Sequence, residues 1–141
     1  MRNTGRSLAA SIIVGLLAVT ACGSDSKSSN STASDSSLAP EDVKVDDATV
    51  TAGLQQMPAT IAAAIASIGA SDAKAKLDAI EELWASFEGT VRDKDATLYL
   101  AIEDQLTPLQ RQIGDGDAAA ATATATTMSG LFTEYLEKHP G

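Results

Sequence analysis

The sequence is poor in the residues that most catalytic and metal sites need. Its 141 residues include a single cysteine, Cys22, and a single histidine, His139, and only 4% of them are aromatic. No thiol follows Cys22, so the rest of the chain can form neither a disulfide nor a cysteine-ligated metal site. His139 lies close to the C-terminus, where we expect a frayed, solvated side chain. A Ser-His-Asp set, a Cys-His set and a glycine-rich phosphate loop are all missing, so the sequence predicts a protein that is not an enzyme.

Positive charge is also scarce. Lysine and arginine together number 10 and the acidic residues 19, for a net charge of −9. Such a surface repels phosphate backbones and anionic lipid headgroups. We therefore expect no nucleic-acid partner and no attachment to a membrane through surface charge.

The N-terminus has the pattern of a targeting signal. Arg2 and Arg6 precede an apolar segment, Leu8 to Ala18, that is too short for a comfortable transmembrane helix and suits a signal peptide. The segment ends in Val19-Thr20-Ala21-Cys22, which resembles the bacterial lipobox.

The lipobox resemblance implies a lipid anchor. Val19, Thr20 and Ala21 would be recognised by the signal peptidase, and the thiol of Cys22 would accept diacylglycerol before cleavage leaves a new α-amino group for acylation (palmitate is the usual kind of chain). Residues 1–21 are then a lipoprotein signal peptide, and loss of Arg2 and Arg6 makes the net charge −11. Ordinary secretion, with cleavage near Ala18 or Ala21, and an uncleaved anchor remain alternatives.

Residues 22–39 read as the lipidated cysteine and a tether. From Gly23 onward this segment consists almost entirely of serine, asparagine, threonine, aspartate and lysine, with too little apolar surface to offset the entropy of ordering it. A flexible segment of this length spans about 20–25 Å on average. We therefore expect a domain held on the extracytoplasmic face of a cell membrane, in the periplasm or at the cell exterior.

Residues 40–141 carry four stripes of apolar residues at spacings of three and four, the signature of amphipathic helices. Breaks rich in glycine, serine and aspartate separate them at 69–71, 93–95 and 114–116. Connections this short place successive helices antiparallel, so the fold class is predicted as all-α, an up-down four-helix bundle. Weak similarity at an offset of 45 residues leaves open whether the bundle is two repeated helical hairpins. The stripes are Val50, Leu54, Met57, Ile61, Ile65 and Ile68; Leu77, Ile80, Trp84, Phe87 and Val91; Leu98, Ile102, Leu106, Leu109 and Ile113; and Ala121, Ala125, Met128, Phe132 and Tyr135.

Carboxylates are the remaining candidates for metal chemistry. Glu81 and Glu88 are seven residues apart at the edge of the second stripe, so a continuous helix would stack them two turns apart. Glu103 borders the third stripe. Together the three could offer hard oxygen ligands to iron or another divalent cation. The alternative is that they are boundary residues that solvate the edges of the bundle.

One segment resembles a known family. Residues 81–119 contain a Phe87-Glu88 pair and then Tyr99, Ile102 and Glu103. This arrangement resembles the extracytoplasmic helical domain of bacterial iron permeases and of imelysin (EfeO)-like iron-uptake components. The chain lacks the His-x-x-Glu motif associated with metal binding in that family, and it lacks permease helices.

The resemblance therefore implies a helical accessory of iron uptake that works with a separate permease. Two functions follow as hypotheses. In the first, the lipoprotein binds or relays a cation through Glu81, Glu88 and Glu103. In the second, it is a ligand-free helical scaffold that docks an envelope protein complex.

Overall fold

The computed structural model describes residues 39–140. The predictions for the signal peptide, for Cys22 and for most of the tether lie outside these residues. The described part is all-helical, as predicted, and contains no strand. None of its helices is long and apolar enough to cross a membrane. Its elements are a short 3-10 turn, Pro40–Asp42, followed by α1 (Asp47–Ala66), α2 (Ala73–Ala85), α3 (Glu88–Lys94), α4 (Ala96–Gly114) and α5 (Ala118–Lys138).

Aspartates begin three of the helices. The side chains of Asp46, Asp95 and Asp117 accept hydrogen bonds from backbone N–H groups three residues on, at 2.7 to 3.0 Å, and so satisfy donors that have no partner within the helix. The loops that follow α1 and α4 contain Gly69 and Gly116, each at a φ of 80°, a left-handed conformation that favours glycine. The predicted breaks at 69–71, 93–95 and 114–116 are thus confirmed.

The four predicted stripes meet in one core. α1 packs against α2 and α5, and α4 packs against α5 and α3, which closes a bundle in which α2 and α4 touch at few residues. The fourth predicted stripe lies within α5, which includes the alternating alanine and threonine residues at 121–126. The largest fully buried side chains are those of Tyr135, Phe87, Leu54, Met57, Ile61, Ile80, Ile102, Leu109, Met128 and Val91.

The second predicted helix is not continuous, and here the sequence prediction is wrong. α2 ends at Ala85 and α3 begins at Glu88, with Phe87 between them in a non-helical conformation (φ −143°). The hydroxyl of Ser86 donates to the carbonyl oxygen of Leu83 at 2.7 Å, a local bond that competes with helix propagation. The Phe87 ring packs directly on Gly53 of α1, in space that any Cβ there would occupy. The break therefore lets the ring enter the core.

A strap formed by residues 40–45 precedes α1 and is fastened to α3. The hydroxyl of Thr90 accepts from the N–H of Val45 at 2.9 Å and donates to its carbonyl oxygen at 3.1 Å. Lys44 donates to the carbonyl oxygen of Gly89 at 2.6 Å. Gly89 lies so close to the strap backbone that a Cβ would clash with the carbonyl oxygen of Glu41. These contacts fix the strap beside the first turn of α3.

Candidate functional site

Two of the predicted carboxylates meet where the strap, α2, α3 and α4 come together. Glu88 is the first residue of α3 and is only 8% exposed, because the break after α2 turns it inward. Glu103 lies on α4 and is half-buried. The indole N–H of Trp84 donates a hydrogen bond to the Oε1 of Glu103. Tyr99 stacks on the Trp84 ring, with centroids 6.1 Å apart and planes inclined by 15°.

The electrostatics of this pair favour a shared proton. Burial, the negative charge of Glu103 and a hydrogen bond with that residue raise the pKa of Glu88 from 4.5 to about 7, the charge of Glu41 adds to the rise, and the Trp84 indole opposes it. Two carboxylates this close cannot both ionise without cost, so Glu88 is protonated in about half of the molecules near neutral pH. Burial and the charges of Glu103 and Glu88 also raise the pKa of Tyr99.

Glu81, the third predicted ligand, lies apart from the pair. It is exposed on α2, and its Oε1 accepts a hydrogen bond from the Nε2 of Gln110 at 2.8 Å. The sequence predicted that Glu81 and Glu88 stack on one edge of a continuous helix. This prediction is wrong, because the helix breaks at Ser86 and Phe87. Within residues 39–140, no group of three or more histidine, cysteine, aspartate or glutamate side chains is placed to hold a metal ion. Metal binding by these glutamates stays a prediction.

The carboxylate pair opens onto a groove between α2 and α4. This acidic section has a volume of about 470 Å³, and its walls include Glu81, Glu82, Trp84, Glu88 and Glu103. One turn further along the same two helices, a second, apolar section of about 530 Å³ is lined mainly by Ile68, Ala70, Ala73, Leu77, Ile113 and glycines. We call the two sections together the α2–α4 groove.

A separate apolar groove lies between α1 and α5. This α1–α5 groove has a volume of about 310 Å³ and no charged residue in its lining. Its walls come from Pro58, Ile61, Ala62, Ile65, Ala66, Thr122, Ala125, Thr126 and Ser129. Of the large apolar side chains in the described part of the chain, only Leu100 is well exposed. The α1–α5 groove and the apolar section of the α2–α4 groove both present apolar side chains to solvent.

Two residues have roles that the sequence did not indicate. Glu41 contributes to the electrostatics of Glu88, but it lies in the short strap before the first amphipathic helix, where no periodic pattern marks it. His139 was expected to be solvated; instead its ring packs on Tyr135 at 4.6 Å, and its Nε2 is 3.5 Å from the Oδ2 of Asp95. Both contacts depend on tertiary packing that spacing along the chain does not reveal.

The arrangement can hold a proton or a cation between two carboxylate groups beside an aromatic wall. It offers no nucleophile paired with a base among these side chains. Val19, Thr20, Ala21 and Cys22, the predicted lipidation residues, lie outside the described part of the chain. No family model matches the chain, and it matches no curated protein and no solved structure.

Proposed function

We propose that the protein is a lipid-anchored extracytoplasmic accessory of metal uptake that binds a cation, iron being the first candidate, between Glu88 and Glu103. The observation that carries the proposal is the buried Glu88 carboxyl beside Glu103 in an open groove, with a pKa raised to about 7. The lipobox-like residues Val19 to Cys22 supply the anchor, and a membrane permease would receive the cation.

The pair is chemically suited to exchange a proton for a cation. Carboxylate oxygens are the ligands of hard cations, and an ion such as Mg²⁺ keeps several waters and needs only one or two carboxylates from the protein. A cation between Glu88 and Glu103 would offset their mutual repulsion and replace the shared proton. Binding should therefore release a proton at slightly acidic pH.

The test is calorimetric titration of the full chain, in a non-ionic detergent, with Fe²⁺ and a small panel of divalent cations. Glu88→Gln removes one charge at nearly constant volume, and Glu82→Gln is the matched control, an exposed glutamate in the wall of the same groove. We expect saturable binding that Glu88→Gln abolishes and Glu82→Gln preserves. Titration in buffers of different ionisation enthalpy should show about one proton released at pH 6 and almost none at pH 8.

Two results would contradict the proposal. One is a heat no larger than that of dilution into buffer for every cation in the panel. The other is binding that Glu88→Gln leaves unchanged, because the cation would then lie elsewhere on the acidic surface. Either result would leave the carboxylate pair as a buried polar feature of the bundle.

A second function, docking of an envelope protein complex without a ligand, is favoured by the two apolar grooves. In this function the protein is a scaffold, and its partner binds equally well in the presence of a chelator. Chelator-resistant binding of a purified partner would separate this function from cation relay.

A further inference from the structure

We infer that the α2–α4 groove is a docking site for a basic amphipathic helix of a partner protein. The inference rests on the docking function named above, not on cation binding. It depends on the shape of the groove, on the apolar character of one section and on the unpaired negative charge of the other.

The shape follows from the way the bundle closes. α2 and α4 touch at few residues, so side chains from both remain uncovered along the line between them. Leu77 from α2 and Ile68 from the preceding loop are only partly buried there, opposite Ile113 of α4. α2 has 13 residues, and a helix of that length is about 20 Å long. An amphipathic helix of similar length could lay its apolar face along this line, as in other helix-in-groove complexes.

The charge of the acidic section specifies the partner. Its lining includes four glutamates (Glu81, Glu82, Glu88 and Glu103) and neither lysine nor arginine, and it stays negative even when Glu88 is protonated. None of the ion pairs formed within residues 39–140 involves any of these four glutamates.

The nearby cations are engaged elsewhere. Lys44 pairs with Asp93 at 2.9 Å, and Arg92 pairs with Asp42 at 3.3 Å. The acidic section is thus electrostatically complementary to lysine or arginine side chains.

The two ends of the groove differ in charge, because one section is acidic and the other is apolar. This difference sets the direction of docking. In the apolar section the only charged residues of the lining are Lys74 and Asp115, and Lys74 pairs with Asp78 at 2.7 Å. The basic end of the partner helix should therefore lie at the acidic section, next to Pro40. The α1–α5 groove has no charged residue in its lining, so nothing in it selects a partner, and it serves as an internal control.

The test uses a synthetic 14-residue peptide with leucines on one helical face and three lysines in its last turn, together with a counterpart that has glutamates in place of the lysines. The fluorescence of Trp84, the only tryptophan of the chain and part of the acidic wall, reports binding to the full chain in a non-ionic detergent. We expect saturable binding of the lysine peptide, unaffected by EDTA and weakened by added salt, and no binding of the glutamate peptide.

Matched variants locate the site. Glu82→Lys should weaken binding about three- to tenfold, whereas Glu137→Lys, the same charge change at an exposed position of α5, should change it less than about twofold. Leu77→Ser in the apolar section should weaken binding more than Ile65→Ser in the α1–α5 groove, and both residues are half-buried. Circular dichroism checks that each variant is folded.

Several outcomes would overturn the inference. The first is no saturable change in Trp84 fluorescence up to about 1 mM peptide. The second is an equal loss of binding in Glu82→Lys and Glu137→Lys, which would indicate attraction to net charge alone. The third is self-association of the chain that Leu77→Ser abolishes, which would show that a second copy fills the groove. Peptide binding is measured with and without EDTA. A failure of the peptide to bind can therefore be distinguished from a failure of the protein to bind a cation.

Discussion

Replacing Glu88 by glutamine should remove a pH dependence from the stability of the protein between pH 5 and pH 8. In the folded chain the pKa of Glu88 is raised from 4.5 to about 7, so the folded state binds the proton more tightly than the unfolded state does. This linkage contributes stability that is fully present below pH 4.5 and is lost as the pH rises through 7. The free energy of unfolding should therefore fall across this window, and glutamine, which stays neutral, should abolish the fall.

The size of the effect follows from the shift. A rise from 4.5 to about 7 corresponds to at most about 3.5 kcal/mol, since each pKa unit is worth about 1.4 kcal/mol. The carboxyl borders a groove open to water, which screens the interaction with Glu103, so the measurable change should be about 1–2 kcal/mol. From pH 5 to pH 8 the free energy of unfolding of the unmodified protein should fall by this amount relative to that of Glu88→Gln.

Urea unfolding at pH 5, 6, 7 and 8, followed by circular dichroism, measures the difference. Any contribution of His139 is common to both proteins and cancels. Glu82→Gln, at an exposed position of α2, should run parallel to the unmodified protein at every pH. The reasoning would be refuted if Glu88→Gln also ran parallel to it, or if the variant lost stability relative to it as the pH rose.

Three further predictions concern the packing around this site. Gly53→Ala should destabilise the protein by about 1–3 kcal/mol in urea unfolding, because the added methyl group meets the buried ring of Phe87. The control is Gly130→Ala, at an exposed position of α5 with free space around it, which should stabilise the protein by up to about 1 kcal/mol. Equal effects of the two substitutions would contradict the packing described. Trp84→Phe removes the indole donor that opposes the raised pKa of the carboxylate pair, so the pH midpoint of the stability change should move upward; a downward shift would contradict this. Asp95→Ala should lower the free energy of unfolding by about 0.5–2 kcal/mol at pH 7 but by little at pH 2. The hydrogen bond from the N–H of Leu98 lowers the pKa of the Asp95 carboxyl, and the stabilisation by this cap is lost when the carboxyl is protonated. A loss of stability that does not depend on pH would contradict this role of Asp95.

The helices and their ends could be predicted from the sequence because their causes are local. Apolar residues at spacings of three and four mark each buried face, and aspartates with nearby glycines mark the ends. The break at Phe87 could not be predicted in this way, because the apolar residues on either side of it still point to the same core and preserve the periodic pattern. The Phe87 ring that the break places in the core packs on Gly53, a residue of α1 that is distant in sequence.

The candidate site illustrates the same limit. Glu88 and Glu103 were identified as boundary carboxylates, but the burial of Glu88 and its raised pKa follow from the turn that the break creates. Glu81 was grouped with them because a continuous helix would place it on the same edge. Glu41 was missed because the strap that carries it is positioned only by long-range bonds to α3.

The strap also determines how mechanical load would enter the bundle. A force applied at the N-terminal side of Pro40 reaches residues 40–45 first, where the bonds of Lys44 to Gly89 and of Val45 to Thr90 hold the strap on α3. These bonds would yield before the helices of the core separate, since they fasten a short segment mainly to one helix, α3. Their rupture would withdraw Glu41 from the neighbourhood of Glu88 and ease the repulsion there. Tension on the chain would thereby alter the carboxylate pair while leaving the bundle folded.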